Sequence, residues 1–360
     1  MIEQTIKQIE TDNIFFVADM HELTKPNADA KRIWENMQKR SPTNRDLKAL
    51  YENSVDPLVS IIEDYANNPF ENWSIGNSER IFAASVVSLG DMVANRINFG
   101  EGTEKSVIGK MAKKARELGV PQHEYIADNF HEQLAEVEDW AYRNSFWTEM
   151  RFEALKHLLG DKLSLSSFIH INGNADAISS FVTRDLLNAD FKSPNEIYID
   201  LKNQNNFQGE IYIDEPGIIR FEKVRWCRDA PDPDFDEDFD FKLVKDMDSY
   251  GVDIALAIPY TLNWNKQLGH LDKIKLSSEE DIRSSMLLIH EPLDYSVFNR
   301  KENVEGMATY KKAISLMPED TKIIHGHTHA QDIVEYGFNG NKVYQIPPNL
   351  GVKHEILIGI

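Results

Sequence analysis

Short apolar runs recur along this chain, and their length and composition predict the buried strands of an α/β fold. A polar residue that could bind a metal follows each run, in several cases after a glycine. In open α/β sheets the carboxyl ends of the strands meet at one edge, so we expect these polar side chains to converge there. The runs cover residues 14–18, 83–89, 168–171, 286–289 and 323–324.

Two longer segments, about 22–80 and 104–162, carry apolar residues at helical spacing instead. The first predicts a helix from Pro26 to Met37 and another from Asn44, which Pro57 should break or kink. The second predicts helices on both sides of a break at 119–121. Both segments leave the sheet directly after polar strand ends, so we expect them to root beside the site and form a lid. Plain scaffold helices are the alternative.

Residues of about 195–260 change to alternating polar and apolar positions, which predicts accessory strands that extend one sheet. Farther on, we expect a helix over 307–317, a strand over 321–324 and a hairpin of 333–338 and 342–346. The hairpin turns at Asn339 and Gly340, a favoured pair for a tight turn. A last strand is predicted over 354–360. Since no repeat interrupts this order, the chain is predicted to form a single domain over residues 1–360.

The chain carries 39 basic and 59 acidic residues, a net charge of −20 at pH 7. Such a field repels polyanions and attracts divalent cations, so general nucleic-acid binding is not expected. A local basic groove stays open as an alternative. Part of the excess lies in the segment 229–240, whose aspartates lack the glycine and spaced glutamate of a calcium loop. A solvated surface loop is the better interpretation of that segment.

Composition narrows the class of protein further. The hydrophobic fraction of 41% is ordinary for a soluble globular chain. There is no apolar run long enough to cross a membrane and no apolar secretory segment at the start, so we expect a cytoplasmic protein without a membrane partner. The one cysteine, Cys227, excludes an internal disulfide and fits a reducing compartment.

Two pairs of potential metal ligands are spaced i, i+2: Asp19 with His21, and His327 with His329. On extended backbone this spacing aims both side chains to the same side. Imidazole and carboxylate groups are ligands for manganese, iron, zinc and nickel. One such pair arises easily by chance, but the other strand ends add an aspartate, an asparagine and another histidine. Together they predict a metal centre at the sheet edge.

The polar blocks at these strand ends occur in a characteristic order. They read Asp19-Met20-His21, Gly90-Asp91, Gly173-Asn174-Ala175-Asp176, His290 and Gly326-His327-Thr328-His329. This ordered set resembles the pattern of the calcineurin-like metallophosphoesterase superfamily and covers the core strands, about half of the chain. The resemblance implies a four-layer α-β-β-α sandwich of two mixed sheets, with a site for two divalent ions. Manganese, iron, zinc and nickel all suit such ligands, and manganese is the expected choice in vitro.

The resemblance also implies a role for each matching residue. The first metal would be held by Asp19, His21 and His329, the second by Asn174, His290 and His327, with Asp91 as the bridge. Two departures from the family pattern matter. Ala175 stands where many members have a catalytic histidine, which leaves Asp176 as a candidate proton donor. Arg96 lies one place later than an arginine of one branch, so Arg96 and Asn95 are candidate substrate contacts.

The function that these observations predict is an enzyme, a metal-dependent phosphoric ester hydrolase. We expect a phosphodiesterase that hydrolyses a small or nucleotide-type phosphodiester through attack of a metal-bridging hydroxide. A metal-dependent nuclease and a catalytically weak scaffold of the same fold are the alternatives. A basic concave strip would favour the nuclease, a closed helical lid the small substrate, and an apolar patch without metal the scaffold. The sequence leaves the substrate, the native metal and the oligomeric state open.

Overall fold

In this computed structural model the chain forms two main β-sheets with helices around them, which confirms the predicted α/β sandwich class. The structure describes residues 5–11, 13–20, 22–23, 28–37, 43–53, 84–92, 96–97, 107–145, 148, 167–187, 210–213, 215–228, 241–245, 254–274, 285–348, 352–353 and 357. The strands are β1 (Thr5–Thr11), β2 (Asn13–Val17), β3 (Glu22–Leu23), β4 (Ala84–Ser88), β5 (Arg96–Ile97), β6 (Ser167–Ile171), β7 (Glu210–Ile213), β8 (Gly217–Arg228), β9 (Phe241–Lys245), β10 (Ile254–Ile258), β11 (Ser285–Ile289), β12 (Lys322–His325), β13 (Val334–Phe338), β14 (Asn341–Gln345) and β15 (Val352–Lys353).

The helices lie between these strands. They are α1 (Ala28–Met37), α2 (Asn44–Glu52), α3 (Val107–Leu118), α4 (Gln122–Asn129), α5 (Asn174–Ser180), α6 (Trp264–Leu271) and α7 (Met307–Leu316). Residues 134–145 are also helical. Short 3₁₀ turns span Phe130–Gln133 and Tyr295–Phe298, and a π-helical turn, Phe181–Leu186, continues α5.

The smaller sheet has the strand order β15-β2-β4-β6-β7 and is parallel apart from its edge strand β15. The larger sheet has the order β1-β8-β10-β11-β12-β14-β13, and β9 pairs with β8. Strands β10, β11, β12 and β14 run parallel to one another, whereas β8 and β13 are antiparallel to their neighbours β10 and β14. Strands β3 and β5 form a separate parallel pair. Both sheets therefore end several parallel strands at a common edge.

The hydrophobic core lies between the two sheets. Every residue of β10 and β11 is buried, as expected of parallel strands covered on both faces. One apolar cluster joins side chains from the smaller sheet, such as Phe16 and Ile169, with side chains from the larger sheet, such as Leu288 and Ile324. A second cluster covers the outer face of the larger sheet with residues of α6 and α7. The two sheets are thus packed face to face.

The helices of the second predicted insertion pack on α5. Helix α3 buries Val107, Ile108, Met111, Ala112 and Ala115, which recur at three- and four-residue spacing along one face. The first four of these share a third apolar cluster with residues of α4, of 134–145 and of α5. The predicted break appears at Gly119, whose φ of +69° ends α3.

Several predicted features lie outside the described residues: the kink at Pro57, the acidic segment 229–240 and most of the last strand over 354–360. None of the helices in the described part of the chain has the length and apolar character that a bilayer crossing requires.

Candidate metal centre

The candidate ligands follow the carboxyl ends of strands from both sheets. Asp19, Asp91 and Asn174 come after β2, β4 and β6, three neighbouring parallel strands. His290 follows β11 directly, and His327 and His329 follow the adjacent parallel strand β12. Since the two sheets pack face to face, these strand ends meet. The convergence that the sequence predicted is therefore present for the described ligands.

Four of these side chains form one cluster. The ligand atoms of Asp91, His290 and His327 all lie within 4.8 Å of one another. The Oδ1 atom of Asn174 lies 2.8 Å from His290 Nε2 and 2.9 Å from His327 Nδ1, and these two nitrogens are 3.1 Å apart. Two ligands on opposite sides of one ion, with bonds of about 2.1 Å, are about 4.2 Å apart. The cluster is therefore close to the size of a coordination shell.

The hydrogen bonding of His290 fixes which of its ring nitrogens carries the hydrogen. Its Nδ1 lies 2.7 Å from the carbonyl oxygen of Leu89, which can only accept, so Nδ1 carries the hydrogen. In the neutral ring Nε2 then presents a lone pair to Asn174 Oδ1, to His327 Nδ1 and to Asp91 Oδ2 at 3.6 Å. Burial lowers the pKa of His290 and lowers that of His327 well below its ordinary value. A bound cation would satisfy the acceptor atoms of Asp91, Asn174 and His290 together.

Asp19 adds a second buried carboxylate beside this cluster. Its Oδ2 accepts a hydrogen bond from the backbone N–H of His327 at 2.7 Å. Its Oδ1 is buried without a hydrogen-bond partner among the described residues and lies 3.7 Å from His329 Nε2. Burial raises the pKa of Asp19 to about 7, and burial together with Asp176 raises the pKa of Asp91 well above its ordinary value. Ionising both carboxyls thus requires a nearby positive charge, and the donor set supports the binding of a divalent metal.

Backbone strain is concentrated in the same residues. The described part of the chain contains six non-glycine residues with positive φ. Four are candidate ligands: Asp19 at 55°, Asp91 at 59°, His327 at 71° and His329 at 58°. Such conformations cost about 1–3 kcal/mol each and persist where the surrounding structure imposes them, often at functional sites. We infer that the fold stores this strain to aim the side chains at a common point.

The glycines of the sequence blocks allow the strand ends to approach closely. A Cβ atom on Gly326 would lie 2.6 Å from Ala18 Cβ and 2.8 Å from Asp19 Oδ2. A Cβ atom on Gly173 would lie 2.3 Å from Asp91 Oδ1. All three distances are too short for unbonded atoms. These glycines are therefore required by the contact between strand ends.

The variant Gly326→Ala is expected to displace the Asp19 carboxylate and weaken metal affinity. Changes to groups that orient ligands typically cost about 10- to 100-fold in affinity, and we expect a loss in that range. Gly337→Ala is the matched control, because an added Cβ there meets nothing within 4 Å. Titration of each purified, metal-free variant with manganese measures the effect. Equal affinities in the two variants would contradict this account.

Metal affinity is expected to rise as the pH increases towards 7. Below that pH the buried Asp19 carboxyl of the metal-free protein holds a proton, which the ion must displace, because its pKa is raised to about 7. His290 and His327, with lowered pKa values, stay neutral in this range. Displacing the Asp19 proton gives about a tenfold gain in affinity per pH unit, and the raised pKa of Asp91 steepens the dependence further. Dissociation constants measured on both sides of pH 7 test this, and a flat profile is the opposing result.

Asp176, the predicted proton donor, is engaged beneath the ligands. Its Oδ2 accepts hydrogen bonds from the backbone N–H of Asp91 at 2.8 Å and of Gly173 at 2.9 Å. It also lies 3.3 Å from His170 Nε2, and His170 Nδ1 lies 3.0 Å from Ser88 Oγ. These side chains are buried. Asp176 thus holds two ligand blocks together, and its catalytic role stays a prediction.

The other predicted site residues are Arg96, Asn95 and His21. Arg96 lies in β5, next to Glu22 of β3 in the register of that strand pair. His21 and Asn95 lie outside the described residues. The roles of His21 as a ligand and of Arg96 and Asn95 as substrate contacts therefore stay predictions.

Glu291, a buried carboxylate that the sequence did not predict, directly follows the candidate ligand His290. Glu291 accepts hydrogen bonds from Tyr295 Oη at 3.3 Å, the backbone N–H of Gly306 at 3.3 Å and Tyr310 Oη at 3.4 Å. Burial, and then the neighbouring Glu305, raises its pKa to about 8. These contacts tie the loop after His290 to α7. An acidic residue directly after a strand-end histidine was the signal in the sequence.

His325 supports the other histidine loop. Its Nδ1–H donates to the carbonyl oxygen of Gly326 at 2.8 Å, so its Nε2 accepts from Tyr336 Oη at 3.0 Å. Burial lowers its pKa to about 3, in keeping with a neutral ring. It therefore acts as a buried support for the loop that carries His327.

A cavity of about 1200 Å³ opens beside the centre. Asn174 and His327 form part of its wall. Residues 119–124, between α3 and α4, form another part, as do the loops 260–266 and 301–305. The helical insertion therefore borders the space in front of the candidate ligands.

Comparison with known proteins gives a limited result. Neither a protein-family model nor a curated protein matches this chain. Among solved structures, the phosphopantetheinyl hydrolase PptH from Mycobacterium tuberculosis matches with a TM-score of 0.30 and 9% identity, over 94% of this chain and 90% of that chain. Sulfate thiohydrolase SoxB from Thermus thermophilus, in complex with glycerol, matches with a TM-score of 0.31 and 12% identity, over 94% and 52%. Likeness of this degree does not define function, which must come from the site.

Proposed function

We propose that this protein is a phosphoric ester hydrolase that uses two divalent metal ions and acts on small or nucleotide-type phosphodiesters. The observation that carries the proposal is the convergence of lone pairs from Asp91, Asn174, His290 and His327 at the wall of a large cavity. Asp19 and His329 extend this set on one side. Sites of mixed carboxylate and imidazole ligands suit manganese, iron, zinc and nickel.

Each metal would take ligands from two or more strand ends. Asp19, His21 and His329 would hold one ion, Asn174, His290 and His327 the other, with Asp91 between them. When bound, two divalent ions supply Lewis-acid stabilisation of the phosphoryl group and activation of water for attack. The Leu89 carbonyl fixes the tautomer of His290 so that Nε2 is free to bind. Asp176 keeps Asp91 and the Gly173 turn in register.

The cavity favours a substrate of limited size. Pockets for small molecules enclose about 300–1,000 Å³, and this cavity of about 1200 Å³ has room for a nucleotide-sized ligand. Acidic side chains outnumber basic ones in its wall, which disfavours a polyanion; they are Glu124, Asp185, Glu215, Glu291, Glu302 and Glu305 against Arg116, Arg184, Lys266 and Lys301. The net charge of −20 acts in the same direction. These features support a small phosphodiester over a nucleic-acid strand.

The test is a screen of the purified protein, loaded in turn with manganese, zinc, iron and nickel. Substrates are aryl phosphomonoesters and phosphodiesters, cyclic nucleotides, and single- and double-stranded DNA. We expect metal-dependent turnover of small diesters well above that of DNA, and none in Asp91→Ala. Comparable turnover of a DNA strand at physiological salt would identify a nuclease instead. Absence of both metal binding and turnover would favour the scaffold.

A further inference from the structure

The cavity beside the metal centre carries four cationic side chains, and their partners distinguish them. Arg184 is paired with Asp185, with distances of 2.6 and 3.0 Å, and Lys266 with Glu215 at 3.1 Å. Arg116 and Lys301 have no carboxylate within ion-pair distance in the part of the chain that the structure describes. Two cations are thus available to an anionic ligand.

Arg116 is held on an anchored segment. It lies in the last turn of α3, where its carbonyl oxygen accepts from the N–H of Gly119 at 3.1 Å. A few residues later, Gln122 Nε2 donates to Glu305 Oε1 at 2.8 Å, and Tyr260 Oη donates to Glu305 Oε2 at 2.6 Å. Gln122 and Tyr260 are buried. These two hydrogen bonds to Glu305 connect the turn after Arg116 with two loops on other sides of the cavity.

Arg116 lines the same cavity as the candidate ligands Asn174 and His327. A second arginine, Arg300, contacts the loop between His327 and His329. Arg300 donates to the backbone carbonyl of Thr328 at 2.8 Å, so part of its guanidinium is engaged by the protein. Arg116 is the exposed member of this pair and lines the cavity.

We infer that Arg116 binds an anionic oxygen of the phosphoester held at the metal centre. A guanidinium donates two parallel hydrogen bonds to a phosphoryl group, which gives orientation as well as charge. The helical insertion would then supply substrate recognition in addition to bordering the cavity. This inference rests on the proposed function, since it requires a phosphoester or phosphate at the centre.

The test compares three variants of the metal-loaded protein: Arg116→Gln, Arg116→Lys and Lys114→Gln. Lys114→Gln is the matched control, because it removes the same charge from the same helix. The Lys114 side chain lies in solvent, where it pairs with Glu117 at 3.6 Å. The readouts are binding of inorganic phosphate by calorimetry, KM for an aryl phosphodiester, and metal content. A charged hydrogen bond of this kind predicts a loss of about 10- to 100-fold in phosphate affinity for Arg116→Gln. KM should rise, while metal content and the Lys114→Gln protein stay unchanged.

Arg116→Lys should recover part of the lost phosphate affinity, because lysine keeps the positive charge but cannot donate two parallel hydrogen bonds from one planar group. Unchanged phosphate affinity in Arg116→Gln would overturn the inference. So would a parallel loss of bound metal, which would show a structural role. If the unmodified protein hydrolyses no phosphoester, the proposed function fails, yet the calorimetric comparison with inorganic phosphate still decides whether Arg116 is an anion contact.

Discussion

Asp91→Ala is expected to remove metal from the centre and to lower kcat/KM by orders of magnitude. Its carboxylate lies within 4.8 Å of ligand atoms of His290 and His327, and it is the proposed bridge. Removing a group that only hydrogen-bonds to a ligand lowers metal affinity about 10- to 100-fold. Removing a ligand itself should lower metal affinity by more. Elemental analysis and steady-state kinetics of the reconstituted variant measure both effects.

The fold of Asp91→Ala should survive without metal. Burial raises the pKa of this carboxyl, so its charge does not stabilise the metal-free protein, and the variant loses one hydrogen bond from the Ala175 N–H. We expect a metal-free Tm close to that of the parent and no rise in Tm on adding manganese. Asp272→Ala, which removes an exposed carboxylate paired with Lys312, should keep the rise. Full metal content in Asp91→Ala would show that the centre is built from other residues.

Ala175→His is expected to accelerate the hydrolysis of esters with poor leaving groups. Ala175 is buried in the first turn of α5, directly after the candidate ligand Asn174, and its methyl group cannot donate a proton. General acid catalysis is worth typically about 10²–10⁴-fold. The unmodified protein should therefore prefer aryl diesters to alkyl monoesters, with a steep dependence of rate on leaving-group pKa.

The measurement is kcat/KM for a series of aryl and alkyl phosphate esters in both proteins. The added imidazole should flatten the dependence and leave the aryl rates nearly unchanged. Lys110→His, which places an imidazole on the exposed face of α3 outside the cavity lining, is the control and should retain the steep slope. A shallow slope already present in the unmodified protein would mean that another group, such as Asp176, serves as the acid.

The expected restriction to small substrates depends on the helices beside the cavity. Helices α3 and α4 border the cavity, and the turn between them is tied to the loop of Glu305. The described helices thus occupy the position that a lid requires, although closure itself stays a prediction. The first predicted helical segment, of about 22–80, is described mainly over β3, α1 and α2, so its contribution is likewise a prediction.

The sequence by itself determined the strand ends and the order of the polar blocks. An apolar run such as that of β11 is readable because parallel strands buried on both faces need continuous apolar residues. The carboxyl ends of parallel strands lie at one edge of a sheet, so position alone predicts that certain side chains converge there. These are Asp19, Asp91, Asn174 and His290. The glycines beside them were visible as well, but only the packing distances explain why no larger residue fits.

Only the tertiary structure decided the contacts between distant parts of the chain. Asp176 reaches the backbone of Asp91 across 85 positions, and Gln122 reaches Glu305 across 183. No periodicity in a sequence encodes such pairs, because they depend on how the sheets and helices pack. The same holds for the placement of Arg116 on the cavity wall, because it depends on how α3 packs on α5.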